Sequence, residues 1–292
     1  MKKSKPYTLL NKAEPYLWIL PSIILMSIFI IIPIALVLFY AFTDANGSFT
    51  FSNILSIWEY RSTYIVSIEL AFVATVICLL LAYPLAYSIS RMKARRQQTM
   101  VLLVMLPMWM NFLIRTYAWM TILEDTGLIN TLLKGFLSLF GYEFEGFAMI
   151  NTNGAIILGM VYNFLPYMIL PIYTVLTKID HSVIEAARDL GANGLHVFTK
   201  VLLPQSVPGI ISGITMVFVP AVSTFIISKL LGGGMTYLIG DIIENYFLGN
   251  TGEVNYNVGA ALSLVLMVLI LISMGIMNRF DKDAETSGGG LF

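Results

Sequence analysis

The sequence predicts an all-α integral membrane protein with six transmembrane helices. Hydrophobic residues make up 58% of the 292-residue chain and charged residues only 12%, against about 25% charged in a soluble domain. Mean hydropathy is +0.81. Six segments reach the roughly 20 mostly apolar residues that a helix needs to cross a bilayer. Lipid offers the backbone no hydrogen bonds, so runs of this length fit helices that satisfy their own N–H and C=O groups.

The first span is expected over residues 16–42, with Pro21 and Pro33 inside it. It follows a basic segment, 1–15, containing Lys2, Lys3, Lys5 and Lys12. The apolar run is too long for a signal peptide and has no small-residue cleavage site, so it reads as a retained helix. The second and third spans are expected over 64–90 and 99–123. The fourth, 154–177, carries Pro166 and Pro171; the fifth, 207–228, carries Pro208 and Pro220; the sixth is 258–277. Packed neighbours can satisfy the carbonyls that these prolines free. The membrane domain thus runs from 16 to 283, and the glycine-rich end, 284–292, reads as a flexible tail or a cloning remnant.

Lysine and arginine set the orientation. Lys2, Lys3, Lys5, Lys12, Arg91, Lys93, Arg95, Arg96, Lys178, Arg188, Lys200, Arg279 and Lys282 fall on one side, and only Arg61, Lys134 and Lys229 on the other. Both termini are therefore expected in the cytoplasm, in a multi-pass protein of a cytoplasmic membrane. The opposite side is acidic, with Asp44, Glu59, Glu124, Asp125, Glu143, Glu145, Asp241, Glu244 and Glu253. Such a surface either concentrates cations or is ordinary loop solvation. Residues 128–139 read as an amphipathic piece lying along the membrane surface. Residues 229–257 hold Gly232-Gly233-Gly234 and then a short helical or re-entrant stretch, 237–247. That loop is a candidate outer gate, and Asp241 and Glu244 are its candidate contacts.

Several classes are excluded. Formal net charge is zero, which gives no case for nucleic acid. The one cysteine, Cys78, permits no disulfide framework, and His181 and His196 have no metal-ligand partners at useful spacing. The phosphate-binding pattern G-x-x-x-x-G-K-[S/T] is missing, so the chain is expected to bind no nucleotide or other cofactor itself. An intramembrane enzyme would need a His, Asp or Ser set at depth, and an ion-driven transporter would need mid-depth charges; neither is visible. No internal repeat suggests two inverted halves.

Polar residues within spans are candidates for function. Glu69 and Arg115 are placed in the outer third at similar depth, either paired or facing a path, with snorkelling as the structural alternative. Asn111 and Asn163 either bond between helices or line the path. Tyr117, Trp119, Tyr162 and Tyr167 offer ring faces to an ammonium or anchor the chain at the interface.

The longest helical stretch that is not a span is 180–204, D-H-S-V-I-E-A-A-R-D-L-G-A-N-G-L-H-V-F-T-K-V-L-L-P. Ser182 and Glu185 have the spacing of a capping box. Gly191 stands where a helix ends in the left-handed region. A second short helix is expected from Asn193, closed by Pro204. Such a bent amphipathic element lies either in a groove of another protein or on lipid headgroups.

A helix–glycine–helix of this kind, on the basic side between the fourth and fifth spans, resembles the coupling element of ABC importer permeases. Their E-A-A-x-x-x-G signature, ending in I-x-L-P, stands here as Glu185-Ala186-Ala187, Gly191, Val201 in place of isoleucine, and Leu203-Pro204. The run L-P-M-W-M-N-F-L-I-R-T-Y-A-W-M, 106–120, is similar to the spermidine/putrescine branch, in particular the first of its two permease subunits. The resemblance implies a type I ABC importer permease fold and polyamine translocation by alternating access. It implies that ATP and magnesium are bound by two copies of a separate ABC ATPase. A second, homologous permease, an extracytoplasmic substrate-binding protein and membrane lipid are the other implied partners. The alternatives are an importer of the same build for another small organic solute and an ion-gradient-driven secondary transporter, although the mid-depth charges the latter needs are not seen.

Overall fold

In the computed structural model the described residues are 19–142, 146–249, 252 and 254–288, with backbone alone from 280 onward. The basic N-terminal segment, Glu143, Glu145, Glu253, the side chain of Lys282 and residues 289–292 of the terminal tail lie outside them. The described residues are almost wholly helical; the one β-bridge, Thr43 with Phe49, closes a turn. Among the described residues five helices are long and apolar enough to cross a membrane, and a sharply bent pair, counted as one broken span, gives a sixth.

α1 (Ile19–Ala41) has none of its most apolar window buried. Phe29, Ile31 and Phe39 are exposed, as fits a helix whose solvent is lipid. A π-helical turn, Ser27–Ile31, directly precedes Pro33. The wider turn gives room where proline lacks an N–H and its ring crowds the preceding carbonyl. α2 (Arg61–Ser90) buries Leu70, Ala71, Ala74, Cys78, Ala82 and Ala86 along one face. α6 (Asn153–Leu176) lies at the centre, packed most extensively against α2 and α8 (Gly194–Ser223). Gly209 and Gly213, four apart on α8, let it approach α6 closely. A side chain at Gly209 would meet the Pro171 carbonyl at 2.8 Å, and one at Gly213 the Met168 sulfur at 2.6 Å. This is the small-residue packing on which helix association in lipid depends. α11 (Tyr256–Gly288) packs on α1 and α8.

Polar cross-links fix the bundle. Tyr64 donates to the Leu262 carbonyl at 2.7 Å, the Tyr83 and Ser206 hydroxyls lie 2.9 Å apart, and Asn257 donates to the Thr43 carbonyl at 2.6 Å.

The structure corrects three expectations. The third span is not one helix: α3 (Ala94–Trp109) and α4 (Phe112–Leu123) are separated at Met110 and Asn111, and the segment 112–138 that α4 opens lies at 87° to α3. Pro107 begins a tight 3₁₀ turn there, Met110 and Asn111 are extended, and the Asn111 side chain accepts the Leu113 N–H at 2.8 Å to start α4. The depth assigned to Arg115 by counting along a straight helix therefore does not hold. The fifth span begins early: Pro204 does not close a short helix, because a π-turn at Phe198–Leu202 precedes it and it falls at the start of the α-helical run Leu203–Ser223. There proline's missing N–H is tolerated, and α8 runs unbroken from Gly194 to Ser223. The far end of that span is shorter than expected. Thr224 is extended, and a separate short helix, α9 (Ile226–Leu231), follows.

On the acidic side, α5 (Leu128–Ser138) is the amphipathic helix expected over 128–139. Buried Asn130 staples it by donating to the Glu124 and Phe147 carbonyls and accepting the Phe147 N–H. Leu128, Leu132 and Phe136 form an exposed apolar stripe. α10 (Ile239–Leu248) is the short helix expected in the last outer loop.

Candidate functional site

Two places gather the singled-out residues. The first is the elbow formed by α7 (His181–Asp189) and the start of α8. Here the expected capping box is not made. Asp180, not Ser182, is the N-cap, and its carboxylate accepts the Ser182 N–H at 3.0 Å. That bond holds the Asp180 carboxyl below the usual carboxylate range. Glu185 turns outward and pairs with His181 Nδ1 at 3.1 Å. An acid one residue before the helix starts, with the extended conformation of a cap, outcompetes a serine already inside it.

The corner itself is as the sequence indicates. Gly191 has φ +86°. Its N–H donates to the Arg188 carbonyl at 2.8 Å, and the Ala192 N–H to the Ala187 carbonyl at 3.0 Å, which is the paired-bond termination of a Schellman motif. Asn193 then caps α8 by accepting the His196 N–H at 2.9 Å. The inner side of the elbow has its own small core: Ile184, Val197 and Leu202, with Ala187, Ala192 and Tyr87 of α2 against it. Phe198 stands edge-on to Tyr83. Outside, Leu190 and Leu195 are 89% and 70% exposed. Glu185 and Ala186 face solvent, Ala187, Val201 and Leu203 are half-buried, and Pro204 is exposed. The elbow is thus a rigid projection with an uncovered leucine on each side of its glycine. Tyr87, its seat on α2, was not singled out from the sequence; it lies about 100 residues away, and no local pattern marks it.

The second place is a cavity of about 230 Å³ between α9 and α10 on the acidic side, lined by Ser228, Thr236, Tyr237, Asp241, Glu244 and Asn245 among others. Lys229 Nζ and a Glu244 carboxylate oxygen lie 2.9 Å apart at its edge. Asp241 is 3% exposed. One of its oxygens accepts the Leu238 N–H at 2.8 Å, and the other is enclosed without a donor. Burial pushes the Asp241 carboxyl up to about 6; the neighbouring Ser228 hydroxyl and the Leu238 N–H moderate the rise. The Ser228 proton goes to the Phe225 carbonyl at 3.0 Å.

The intramembrane candidates do not converge. Glu69 is exposed on α2, in line with Ile65, Phe72 and Val76. Arg115 is 8% exposed on α4, its guanidinium near the Phe112 ring and two of its nitrogens enclosed without acceptors. The two make no ion pair, because among the described residues the ion pairs are His181–Glu185 and Lys229–Glu244. Asn111 is the local cap of α4. Buried Asn163 donates to the Gly159 carbonyl of its own helix at 2.9 Å, leaving its oxygen unpartnered. Trp119 meets Tyr162 edge-on at 5.4 Å, while Tyr117 and Tyr167 are exposed. Among the described residues no group of three or more His, Cys, Asp or Glu side chains is placed to hold a metal ion.

Comparison with known proteins gives a consistent picture. The sequence profile of the family described as binding-protein-dependent transport system inner membrane component matches residues 79–286. A spermidine/putrescine transport system permease protein, PotB, of Haemophilus influenzae is 37% identical over 264 residues, covering 87% of this chain and 89% of its own length. The protein of the same name from Escherichia coli is 34% identical over 231 residues, covering 78% and 80%. Among solved structures, a chain of a bacterial ABC transporter that imports the acidic polysaccharide alginate superposes with a TM-score of 0.68 at 20% identity, covering 94% of this chain and 98% of that one. A chain of the MetNI methionine ABC transporter gives 0.57 at 18% identity, covering 78% and 97%.

Proposed function

Because the chain belongs to the family of binding-protein-dependent transport system inner membrane components, we propose that it is the membrane permease subunit of a polyamine importer, driven through its elbow by a separate ATPase. The observation that carries the coupling role is the elbow's build. A bent helix pair is seated on α2 by its own core, with Leu190 and Leu195 left uncovered beside Gly191. Exposed apolar anchors on a rigid helical projection fit a groove in a partner. The Glu185-Ala186-Ala187 run, Gly191, Val201 and Leu203-Pro204 shape that projection.

The cargo reading rests on the spermidine/putrescine permeases that resemble this chain over most of its length. The basic side, with the elbow, faces the cytoplasm under the positive-inside rule, and the acidic side faces a substrate-binding protein through α10. One of this chain and a second, homologous permease flank the path, each resting on one ATPase that holds ATP and magnesium. Closure of the ATPases moves both elbows together, and the attached helices rock between inward and outward openings. Glu69, Asn111, Arg115, Tyr117, Trp119, Asn163 and Tyr167 remain the path candidates. Asp241 and Glu244 are the outer ones.

The test is reconstitution in proteoliposomes with the ATPase, the second permease and the binding protein. Spermidine- or putrescine-loaded binding protein is expected to stimulate ATP hydrolysis and uptake. Stimulation by a different small organic solute, with none by polyamines, would replace the cargo and keep the importer. Uptake driven by an ion gradient without ATPase would overturn the importer itself.

A further inference from the structure

The cavity between α9 and α10 has a charge imbalance. Two carboxylates, Asp241 and Glu244, face one ammonium, that of Lys229. Lys229 is committed to Glu244 and its side chain is half-exposed, so it compensates mainly the outer acid and only weakly the inner one. Asp241 is left with an enclosed oxygen beside the Ser228 hydroxyl, whose proton is given to the Phe225 carbonyl. A buried carboxylate in that condition is costly unless a donor, preferably a cationic one, completes it. The remaining walls suit an aminoalkyl end: Thr236 and Asn245 supply oxygens, and the Tyr237 ring supplies a face for methylenes or for the charge.

We propose that this cavity is an ammonium-binding pocket on the outer side of the permease, with Asp241 as the receiving carboxylate and Lys229 as a tethered competitor. Lys229 is a primary ammonium on a four-carbon stem, and it already sits on one of the two acids. An incoming ammonium contends with Lys229 for Glu244 and, as the side chains at the wall give way, completes the enclosed oxygen of Asp241. This makes the pocket weaker than two free carboxylates would be, which suits a passage point from which cargo must leave again. The raised Asp241 carboxyl is consistent with an acid that lacks its counter-charge. The proposal deepens the polyamine reading and rests on it for the identity of the cargo, but not for the presence of the pocket.

The experiment therefore has a binding arm and a transport arm. In the assembled importer in nanodiscs, thermal unfolding of this chain is followed with butylammonium chloride and with sodium chloride at equal ionic strength. Butylammonium is expected to raise the unfolding temperature of the wild type, to do so at about tenfold lower concentration in Lys229→Met, and to have no effect beyond sodium in Asp241→Asn. An equal response in wild type and Asp241→Asn overturns the proposal. So does a Lys229→Met variant that responds no better than wild type, whose reading does not depend on how Asp241→Asn folds. In proteoliposomes, Asp241→Asn is expected to lower the kcat/KM of putrescine uptake about tenfold, and wild-type uptake by that variant overturns the transport role. If the wild type shows the Asp241-dependent butylammonium response yet imports no polyamine, the pocket stands and the polyamine reading fails.

Discussion

Replacing Gly191 tests the elbow with little else disturbed. A Cβ built at this position meets nothing within 4 Å, while the backbone sits at φ +86°. The cost of Gly191→Ala is therefore conformational rather than steric. Holding an L-residue in the left-handed region costs about 1–2 kcal/mol. The stiffer unfolded chain of alanine returns roughly 0.4–1 kcal/mol of this. The net is about 1 kcal/mol, a factor of about 5 in a local opening equilibrium. The loss should fall on the corner, since the small core of Ile184, Val197 and Leu202 is separate from the main one. Hydrogen exchange of the Gly191 and Ala192 amides, which close the corner onto Arg188 and Ala187, should quicken about fivefold while that of α6 stays unchanged. Gly191→Asn should cost less, because asparagine tolerates this region. Coupled ATP hydrolysis should fall in the order glycine, asparagine, alanine. Unchanged exchange and full coupling in the alanine variant, or an asparagine variant as impaired as alanine, would refute the reasoning.

Three further outcomes are expected. Asp241 has a folded carboxyl raised from 3.8 to about 6, so the native state binds its proton more tightly than the unfolded chain, and stability falls as pH rises from about 4 through 6. Asp241→Asn should remove that slope and gain on the order of 3 kcal/mol at pH 7, measured by denaturant unfolding at pH 5 and 8; an unaltered slope would assign the titration elsewhere. Exchanging the charges, Glu69→Arg with Arg115→Glu, should not rescue uptake lost in either single variant, because the two side chains form no ion pair; full rescue in the transport assay would show that they meet. Gly213→Val should lower the unfolding temperature by several degrees, since its side chain would drive into Met168 of α6, whereas Gly275→Val, with open space around it, should not.

Hydropathy located the first, second, fourth and sixth spans to within a few residues at most of their ends, because burial in lipid demands long apolar runs whatever the packing. Interruptions were harder to read. Pro107 followed by Asn111 is a proline turn and then a capping residue, a legible stop-and-restart that the apolar run around it concealed. Pro204 was misread in the opposite sense: a proline stops a helix only if the turn before it cannot widen, and the widening at Phe198–Leu202 has no sequence mark. The cap at α7 turned on geometry, with Asp180 and Ser182 both suitable by type. At the outer pocket, Asp241 and Glu244 stood out as acids in a polar loop. Their wall partners Ser228, Thr236 and Asn245 did not, since the fold of α9 back onto α10 brings them together and neither a period of 2 nor one of 3.6 encodes it.

The unbroken course of α8 has a mechanical meaning. Its 30 residues make a rod of about 45 Å at 1.5 Å rise per residue. One end is half of the elbow, and the other abuts α9, whose Ser228 walls the outer pocket. A tilt of about 5° about one end of such a lever carries the other through roughly 4 Å, more than the length of a hydrogen bond. Under the proposed coupling, a tilt driven from the elbow would reach the outer end beside α9 through the helix itself, with no relay of side chains between.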